Sequence, residues 1–241
     1  MKAIIPAAGH GTRFLPVTKV VPKEMLPIGS HPALELIVEE AKSAGADEIV
    51  MVISKGKELI REYFKDDPFV RFVYQHEQKG LGHAVLQAAP ELVGETGNVL
   101  VLLGDALVAG GNAAKELIAV SKANGGAPVI GLERVPRERV SRYGIVAMEE
   151  CGRITGMVEK PSPEDAPSDL AVAGRYLLDV AIFDFLADQQ VGLGGEIQLT
   201  DAIARMIAHK PLFGCVYQGK RQDIGNPQGY FKALEAFGEN R

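Results

Sequence analysis

The sequence lacks several features that would place it in a common functional class. Its 26 Lys and Arg residues against 31 Asp and Glu give a net charge of −5, so nucleic-acid binding through bulk electrostatics is not expected. It contains no apolar run of membrane-spanning length. With two cysteines and no evident signal peptide, we expect free thiols rather than a disulfide. These absences predict a cytoplasmic protein without nucleic-acid or membrane partners.

Several catalytic motifs are also missing. The five histidines show neither metal-binding spacing nor an HExxH motif. No GxSxG motif is present, so a serine hydrolase has no support. Cys151 falls in a predicted hairpin turn and Cys215 in a predicted strand, and neither has a recognisable histidine partner in the sequence. A covalent mechanism is therefore not indicated.

What the sequence does contain is an ordinary globular composition arranged in alternating strands and helices. Hydrophobic residues make up 46% and charged residues 24%, and the length of 241 residues predicts a single domain, 1–241. Hydrophobic periodicity predicts strands over residues 2–7, 48–54, 70–75 and 99–103, and helices over 32–44, 57–64, 82–89 and 113–123. This order predicts an α/β fold with a Rossmann-like, mostly parallel mixed sheet and helices on both faces.

The second half of the chain predicts a more mixed set of elements. Strands are expected over residues 128–133, 171–178 and 212–218, a β-hairpin over 143–148 and 153–159, and helices over 196–208 and 228–237. The sequence contains no repeats, low-complexity segments or linkers.

The most informative segment is the loop after the first predicted strand. Gly9 and Gly11 allow close backbone approach to an anion, and Arg13 and Lys23 add positive charge. The alternative is a tight turn with two solvated cations, but a long apolar loop with three prolines is usually functional. It is not a P-loop, which needs Lys before Ser or Thr, and Phe14 replaces the third glycine of a dinucleotide fingerprint.

Other candidate residues follow predicted strands, where open α/β sheets bind ligands. Gln75, with glycines after Lys79, could pair with a planar base, or the segment could be an ordinary glycine turn. Asp105 and Asp223 have the chemistry of Mg²⁺ ligands, although either could cap the next segment. Glu159-Lys160 could bind the hydroxyls and phosphate of a sugar phosphate, or could be only a surface charge pair. Gly144 could bring the backbone close to a ligand, or could only relieve a strand edge.

These segments together resemble one family. The runs GHGTRFLPVTKVVPKEMLPI, KGLGHAV, VEKP, AGRYLL, GGEIQLTDAI and DIGNPQGY, in order across nearly the whole chain, are similar to those of bacterial UTP–glucose-1-phosphate uridylyltransferases. The GxGTR motif with its downstream Pro-Lys is shared by sugar-phosphate nucleotidyltransferases in general. PKEMLP, KGLGHAV and EIQLTDAI are more particular to the uridylyl branch.

The resemblance implies a fold of the nucleotide-diphospho-sugar transferase type and a set of ligand contacts. It implies a nucleotide-binding half of about 1–125 and a sugar-binding half of about 126–241, with a small β-hairpin and a C-terminal helix. The substrates would be UTP and glucose 1-phosphate, the cofactor Mg²⁺, and the assembly a homo-oligomer. The implied nucleotide contacts are Arg13 and Lys23 with the triphosphate, Gly11 and Thr12 in the same loop, and Gln75, Ala8, Gly9 and Gly80 with uracil. The implied ligands of Mg²⁺ are Asp105 and Asp223. The implied sugar-phosphate contacts are Glu159 and Gly144 with glucose, Lys160 with its phosphate, and Arg175 as an additional contact.

Three other hypotheses compete with this interpretation. A related enzyme could use dTTP, GTP or another hexose 1-phosphate. A non-catalytic regulator could bind a nucleotide sugar, but joint retention of Lys23, Asp105, Lys160 and Asp223 argues against this. The missing third glycine disfavours a Rossmann oxidoreductase.

Overall fold

The computed structural model describes residues 1–238, so the last three residues of the predicted domain 1–241 lie outside the described part. Within that part the chain forms thirteen strands: β1 Lys2–Pro6, β2 Pro27–Ile28, β3 His31–Pro32, β4 Glu48–Ile53, β5 Val70–Tyr74, β6 Asn98–Leu102, β7 Ala106–Ala109, β8 Val129–Arg134, β9 Gly144–Met148, β10 Ile154–Glu159, β11 Leu170–Asp179, β12 Phe213–Val216 and β13 Lys220–Asp223.

The same residues form seven α-helices: α1 Ala33–Ser43, α2 Glu58–Phe64, α3 Leu81–Leu86, α4 Ala113–Ala123, α5 Ile182–Ala187, α6 Leu199–Ile207 and α7 Pro227–Gly238. None of these helices combines the length and apolar character needed to cross a membrane.

Nine strands form the central sheet. Its main order is β10-β9-β11-β6-β1-β4-β5, and β8 pairs with both β11 and β12. The pairs of β1 with β4 and β6, β4 with β5, and β8 with β12 are parallel, whereas β11 is antiparallel to β6, β8 and β9, and β10 is antiparallel to β9. Seven of the nine strands of this sheet, all except β10 and β11, therefore run in one direction, which confirms the predicted mostly parallel mixed sheet.

Two hydrophobic cores lie on opposite faces of this sheet. Side chains alternate along a strand, so Ala3 and Ile5 of β1 enter one core and Ile4 enters the other. Helices α1, α2, α4 and α7 contribute to the first core, and α3, α5 and α6 contribute to the second. The predicted helices on both faces are confirmed.

The predicted hairpin is also confirmed, since β9 and β10 pair antiparallel with Gly144 opposite Glu159. Cys151 lies exposed in its turn, Cys215 is buried in β12, and both thiols are free as expected.

Other elements differ from the predictions. The helix predicted from residue 196 begins at Leu199, because backbone hydrogen bonds of Ile197 to Lys79 and Gly82 hold the preceding segment extended. The strand predicted over 212–218 ends at Val216, and the chain turns and forms β13. Neither the separate β7–β13 pair nor α5 was predicted from the sequence.

Candidate active site

The glycine-containing loop leaves the carboxyl end of β1 and makes a tight turn. Ala7 and Ala8 are buried, and the Ala7 amide donates a 2.8 Å hydrogen bond to the Val52 carbonyl of β4. Gly11 has a φ of 64°, and a Cβ there would lie 3.0 Å from Thr18 Cγ2. The Thr18 hydroxyl donates a 2.9 Å hydrogen bond to the Gly11 carbonyl. The turn therefore needs a residue without a side chain at position 11.

A buried ion pair anchors this loop to the sheet. Lys57 Nζ lies 2.8 Å from both carboxylate oxygens of Glu24 and donates a 2.6 Å hydrogen bond to the Ala7 carbonyl. Burial lowers the pKa of Lys57 despite the opposing charge of Glu24. Neither residue was predicted from the sequence. Their only sequence signals were a glutamate within PKEMLP and a lysine shortly after a strand end.

Lys23 and Asp105 form a second ion pair, which joins the same loop to the segment that follows β6. Lys23 Nζ lies 2.5 Å from Asp105 Oδ2, and the Lys23 side chain is 11% exposed. Burial acts to lower the pKa of Lys23, but the charges of Asp105 and Glu24 outweigh it, so the pKa is raised. Burial likewise acts to raise the pKa of Asp105, but the Lys23 charge and hydrogen bond hold this pKa below its usual range. Both groups are therefore charged at neutral pH.

The two predicted metal-binding aspartates are neighbours across the β7–β13 pair. The Ile224 amide donates a 2.9 Å hydrogen bond to the Asp105 carbonyl. A Cβ on Gly225 would lie 2.9 Å from Asp223 Oδ1, 3.4 Å from Asp105 Oδ2 and 3.8 Å from an Arg13 terminal nitrogen. The structure thus brings both carboxylates and Arg13 around one small space, which Gly225 leaves open.

Gly104 explains how Asp105 reaches this position. The Gly104 amide donates a 3.1 Å hydrogen bond to the Pro6 carbonyl at the end of β1. A Cβ on Gly104 would lie 2.8 Å from that oxygen and 3.3 Å from Ala7 Cβ. Close backbone contact therefore places Asp105 directly beside the start of the glycine-containing loop.

The donor set suits a hard divalent cation. Asp105 and Asp223 offer carboxylate oxygens, which Mg²⁺ prefers, and Mg²⁺ characteristically uses one or two carboxylates together with substrate oxygens and water. The described residues contain no group of three or more His, Cys, Asp or Glu side chains placed to hold a metal. A metal at these aspartates would therefore take most of its ligands from substrate and water.

The side chain of Gln75 lies at the carboxyl end of β5 and is almost fully buried. Its Nε2 donates a 3.2 Å hydrogen bond to the Gly80 carbonyl and lies 3.0 Å from His83 Nδ1. Gln78 Nε2 donates a 3.2 Å hydrogen bond to the Ala8 carbonyl. The predicted base-reading residues are therefore brought together with the glycine-containing loop, and Gln75 Oε1 remains as the acceptor.

The segment before α6 packs against residues 79–82, which follow Gln75. The Ile197 amide donates a 2.7 Å hydrogen bond to the Lys79 carbonyl, and the Gly82 amide donates a 2.8 Å hydrogen bond to the Ile197 carbonyl. Gly80 has a φ of 94°, and a Cβ there would lie 2.7 Å from Glu196 Cβ. Residues 79–82 therefore depend on close contact with residues 196–197.

On the β9–β10 hairpin, the predicted sugar-binding residues form a second cluster. A Cβ on Gly144 would lie 3.3 Å from Glu159 Oε2 and 3.2 Å from Thr200 Oγ1. The Thr200 hydroxyl donates a 2.6 Å hydrogen bond to Glu159 Oε2, and Lys160 Nζ lies 3.1 Å from Glu159 Oε1. Thr200 is a third residue of the site that was not predicted from the sequence. Its only signal was its place in EIQLTDAI.

Lys160 has an unusual backbone conformation. Its φ of 48° is the only positive value at a non-glycine residue of the described part. Its amide donates a 2.9 Å hydrogen bond to the Tyr143 carbonyl, which stabilises the turn, and its side chain is 44% exposed. Backbone strain of this kind concentrates at functional sites.

Arg175 does not join this cluster, contrary to its predicted sugar-phosphate contact. It is fully buried, and its Nε and Nη2 donate hydrogen bonds of 2.7–3.1 Å to the Glu40 carboxylate. Nη1 donates to the Gly174 carbonyl and Nη2 also donates to the Ala106 carbonyl, at 3.0 and 2.6 Å. The guanidinium is therefore occupied within the protein, where it supports the chain next to Asp105.

Comparison with known proteins gives matches along essentially the whole chain. The family model described as nucleotidyl transferase matches residues 2–240. A UTP–glucose-1-phosphate uridylyltransferase of Staphylococcus haemolyticus is 43% identical over 261 aligned residues, covering 96% of this chain and 90% of the relative.

Solved structures also match the whole length of this chain. A crystal structure of a UDP-glucose pyrophosphorylase complexed with UDP-glucose is 37% identical, with a TM-score of 0.91 and coverage of 100% of this chain and 99% of the other. A UTP-bound UGPase from Acinetobacter baumannii is 34% identical, with a TM-score of 0.86 and coverage of 100% and 94%.

Proposed function

The chain belongs to the nucleotidyl transferase family, and we propose that it transfers a uridylyl group from UTP to glucose 1-phosphate. The products are UDP-glucose and pyrophosphate. The names of its relatives support this choice of substrates. The observation that carries the proposal is the convergence of Arg13, Lys23 and two aspartates around one space, together with the Glu159–Lys160 cluster on the hairpin.

The glycine-containing loop provides the nucleotide site in this proposal. The triphosphate lies along the backbone of Gly9, Gly11 and Thr12, between the cations Arg13 and Lys23. Uracil lies against the backbone of Ala8 and Gly80, and Gln75 Oε1 accepts the N3–H of the base. This orientation follows because Gln75 Nε2 already donates within the protein.

Asp105 and Asp223 would hold Mg²⁺ in the proposed site, where the cation would neutralise charge on the phosphate oxygens. Asp105 Oδ2 accepts the Lys23 hydrogen bond, which holds the carboxylate in place. Lys23 and Arg13 supply further fixed positive charge to the same phosphates.

The hairpin cluster binds glucose 1-phosphate. Glu159 accepts hydrogen bonds from sugar hydroxyls, the backbone at Gly144 lies against the hexose, and Lys160 pairs with the phosphate. Thr200 holds one Glu159 oxygen, so the carboxylate has a fixed orientation. Arg175 has no substrate contact in this proposal, because its donors are occupied inside the protein.

The chemistry needs no protein nucleophile. A phosphate oxygen of glucose 1-phosphate forms a bond to the α-phosphorus of UTP, the bond from that phosphorus to the bridging oxygen breaks, and pyrophosphate leaves with the electron pair. An ionised phosphate requires no general base. The residues named above lower the barrier by bringing two anions together in line, and such positioning contributes about 7–11 kcal/mol in favourable cases.

We also propose that one domain carries both substrate sites, with a nucleotide half of about 1–125 and a sugar half of about 126–241. In this division Asp223 and α7 come from the second half but act at the nucleotide site. Two free thiols suit a reducing compartment, so we propose a cytoplasmic location. A homo-oligomeric assembly stays a prediction.

A substrate matrix tests the proposed reaction. Pyrophosphate release is measured with UTP, dTTP or GTP against the 1-phosphates of glucose, galactose and N-acetylglucosamine, with and without Mg²⁺. We expect the fastest turnover with UTP, glucose 1-phosphate and Mg²⁺. Faster turnover with dTTP or GTP would identify a different nucleotidyltransferase. Tight UDP-glucose binding without turnover in any combination would identify a non-catalytic binding protein.

A single substitution tests the proposed sugar-phosphate contact. Lys160→Ala removes the ammonium that offsets repulsion between the two substrates, so we expect turnover to fall at least about 100-fold with the fold retained. Lys122→Ala, on the exposed side of α4, is the control and should keep full turnover. Steady-state kinetics and circular dichroism measure both variants. Near-normal turnover of Lys160→Ala would remove this residue from the proposed site.

A further inference from the structure

Arg221 is a further cation near the proposed metal-binding aspartates, and neither the family motifs nor the sequence pattern indicated it. It lies in β13 two residues before Asp223, so the two side chains point to the same face of the strand. Its side chain is 11% exposed. A cation this deeply placed next to a proposed metal ligand is expected to have a defined anionic partner.

Two contacts fix the orientation of the Arg221 guanidinium. Its Nε lies 2.6 Å from Glu133 Oε1 on β8, and its Cζ lies 4.8 Å from the centre of the Tyr143 ring. The carboxylate and the ring hold the planar group from two directions. Within residues 1–238 the terminal nitrogens Nη1 and Nη2 donate no hydrogen bond to the protein. The oriented guanidinium therefore keeps both terminal NH2 groups free to donate.

Arg221 also connects the two substrate clusters. Tyr143, on which it stacks, directly precedes Gly144, and the Tyr143 carbonyl accepts the Lys160 amide hydrogen bond. On its own strand, Asp223 lies opposite Ala106, the residue after Asp105. The free donors are thus at the junction between the aspartates and the sugar-binding hairpin.

We infer that Arg221 binds the phosphate of the hexose 1-phosphate, the group that attacks UTP. An oriented guanidinium matches phosphate oxygens with two parallel hydrogen bonds, which a lysine cannot reproduce. Lys160 and Arg221 then hold this phosphate from two sides. In the product the same group is the phosphate bonded to glucose. The inference deepens the proposed function and rests on it.

Ligand binding separates this role from general support of the structure. UDP-glucose contains the phosphate that Arg221 would hold, whereas UMP contains only the phosphate next to uridine. We expect Arg221→Met to weaken UDP-glucose binding roughly 10- to 100-fold, the scale of a lost charge-assisted contact, and to leave UMP binding within about twofold. Titration calorimetry with each ligand in the presence of Mg²⁺ measures both values.

Three further variants make the experiment decisive. Arg221→Lys keeps the charge but not the fork, so its loss should be smaller and still confined to UDP-glucose. Glu133→Gln loosens the guanidinium and should show a weaker form of the same selectivity. Arg134→Met removes an exposed arginine paired with Asp169 on the surface and should change neither affinity. If Arg221→Met does not fold, as judged by circular dichroism, the Arg221→Lys pattern decides.

The outcomes separate the inference from the proposed function. Equal losses for UMP and UDP-glucose, or no loss for either, would overturn the role of Arg221 while the wild-type protein still turns over UTP and glucose 1-phosphate. If the wild-type protein neither binds UDP-glucose nor releases pyrophosphate, the proposed function itself fails. A selective loss in Arg221→Met and Arg221→Lys supports the inference.

Discussion

Glu24 and Lys57 show how single residues support the nucleotide loop without reaching a substrate. Both side chains are buried, and Lys57 also binds the Ala7 carbonyl at the end of β1. The pair therefore fixes the loop containing Lys23 relative to the sheet. Breaking a buried ion pair by removing one partner leaves the other charge without compensation.

Glu24→Gln tests this role. The substitution keeps the shape of the side chain but leaves the Lys57 ammonium unpaired and buried, so we expect a loss of about 3–5 kcal/mol in the free energy of unfolding. Urea denaturation measures the loss. Glu62→Gln removes one partner of an exposed ion pair with Lys65 and should leave the midpoint unchanged. Equal midpoints for the two variants would show that the Glu24–Lys57 pair does not anchor the loop.

The two cysteines should differ in reactivity. Burial and, to a lesser extent, the charge of Glu116 raise the pKa of Cys215 to about 11, so little thiolate forms at pH 8. Cys151 is exposed. We expect iodoacetamide to label one thiol per native chain at pH 8 and two in denaturant, as counted by mass spectrometry. Cys151→Ser should abolish native labelling. Rapid native labelling of Cys215 would contradict its burial.

Among the larger elements, the loop of residues 79–82 after Gln75 depends on a segment more than a hundred positions later in the chain. Residues 79–82 exchange backbone hydrogen bonds with Ile197, and Gly80 and Gly82 leave no room for a side chain against residues 196–198. The same segment leads into α6, whose Thr200 holds Glu159. One extended segment thus supports both proposed substrate clusters.

Gly80→Ala tests the contribution of this contact. Its Cβ would lie 2.7 Å from Glu196 Cβ and 2.9 Å from the Ile197 carbonyl, so the loop must move away from the segment. We expect the KM for UTP to rise at least about tenfold, and more than the KM for glucose 1-phosphate, because misplacement of binding groups by about 1 Å is costly. Steady-state kinetics with each substrate varied in turn gives both values.

Gly94→Ala is the matched control for backbone strain. Gly94 also has a positive φ, 85°, but a Cβ there would meet nothing within 4 Å. Both variants place a side chain at a positive φ, but only Gly80→Ala also creates a clash. If Gly94→Ala raises the KM for UTP as strongly, the clash with residues 196–197 is not the cause.

These elements also show which parts of the fold can be predicted from the local sequence. The strand–helix order was predictable because β1 and β4 are short apolar runs and α1 carries a clear apolar face. The start of α6 was not predictable from the sequence. The periodicity of its apolar residues extends back to Ile197, but hydrogen bonds to a distant loop hold that residue extended. Tertiary contacts decided the boundary.

The same limit applies to the candidate site. Residues at strand ends, such as Gln75 and Asp105, were accessible to prediction because open α/β sheets bind ligands there. Arg175 was predicted as a ligand only through the family resemblance of its AGRYLL segment, and nothing nearby in the sequence indicates its partner, Glu40. Arg221 and Lys57 were missed for the same reason, since their partners are distant in sequence.

At the scale of the whole molecule, Glu40 and Arg175 join parts of both proposed halves. Glu40 of α1 also accepts a 3.2 Å hydrogen bond from the Ala114 amide at the start of α4, and Arg175 of β11 also binds the Ala106 carbonyl of β7. Four elements therefore meet at one buried ion pair. Because Ala106 directly follows Asp105, the pair also supports the chain next to the proposed metal site.

A double-mutant cycle tests the interaction between Glu40 and Arg175. Arg175→Met and Glu40→Gln each leave a buried group without its partner, so we expect each to reduce the free energy of unfolding by about 3–5 kcal/mol. The double variant leaves neither charge, so its loss should be clearly smaller than the sum of the single losses. Arg134→Met, at a surface ion pair, is the control for removal of an arginine. Strictly additive losses, measured by urea denaturation, would show that the two residues act independently and that no shared ion pair joins the four elements.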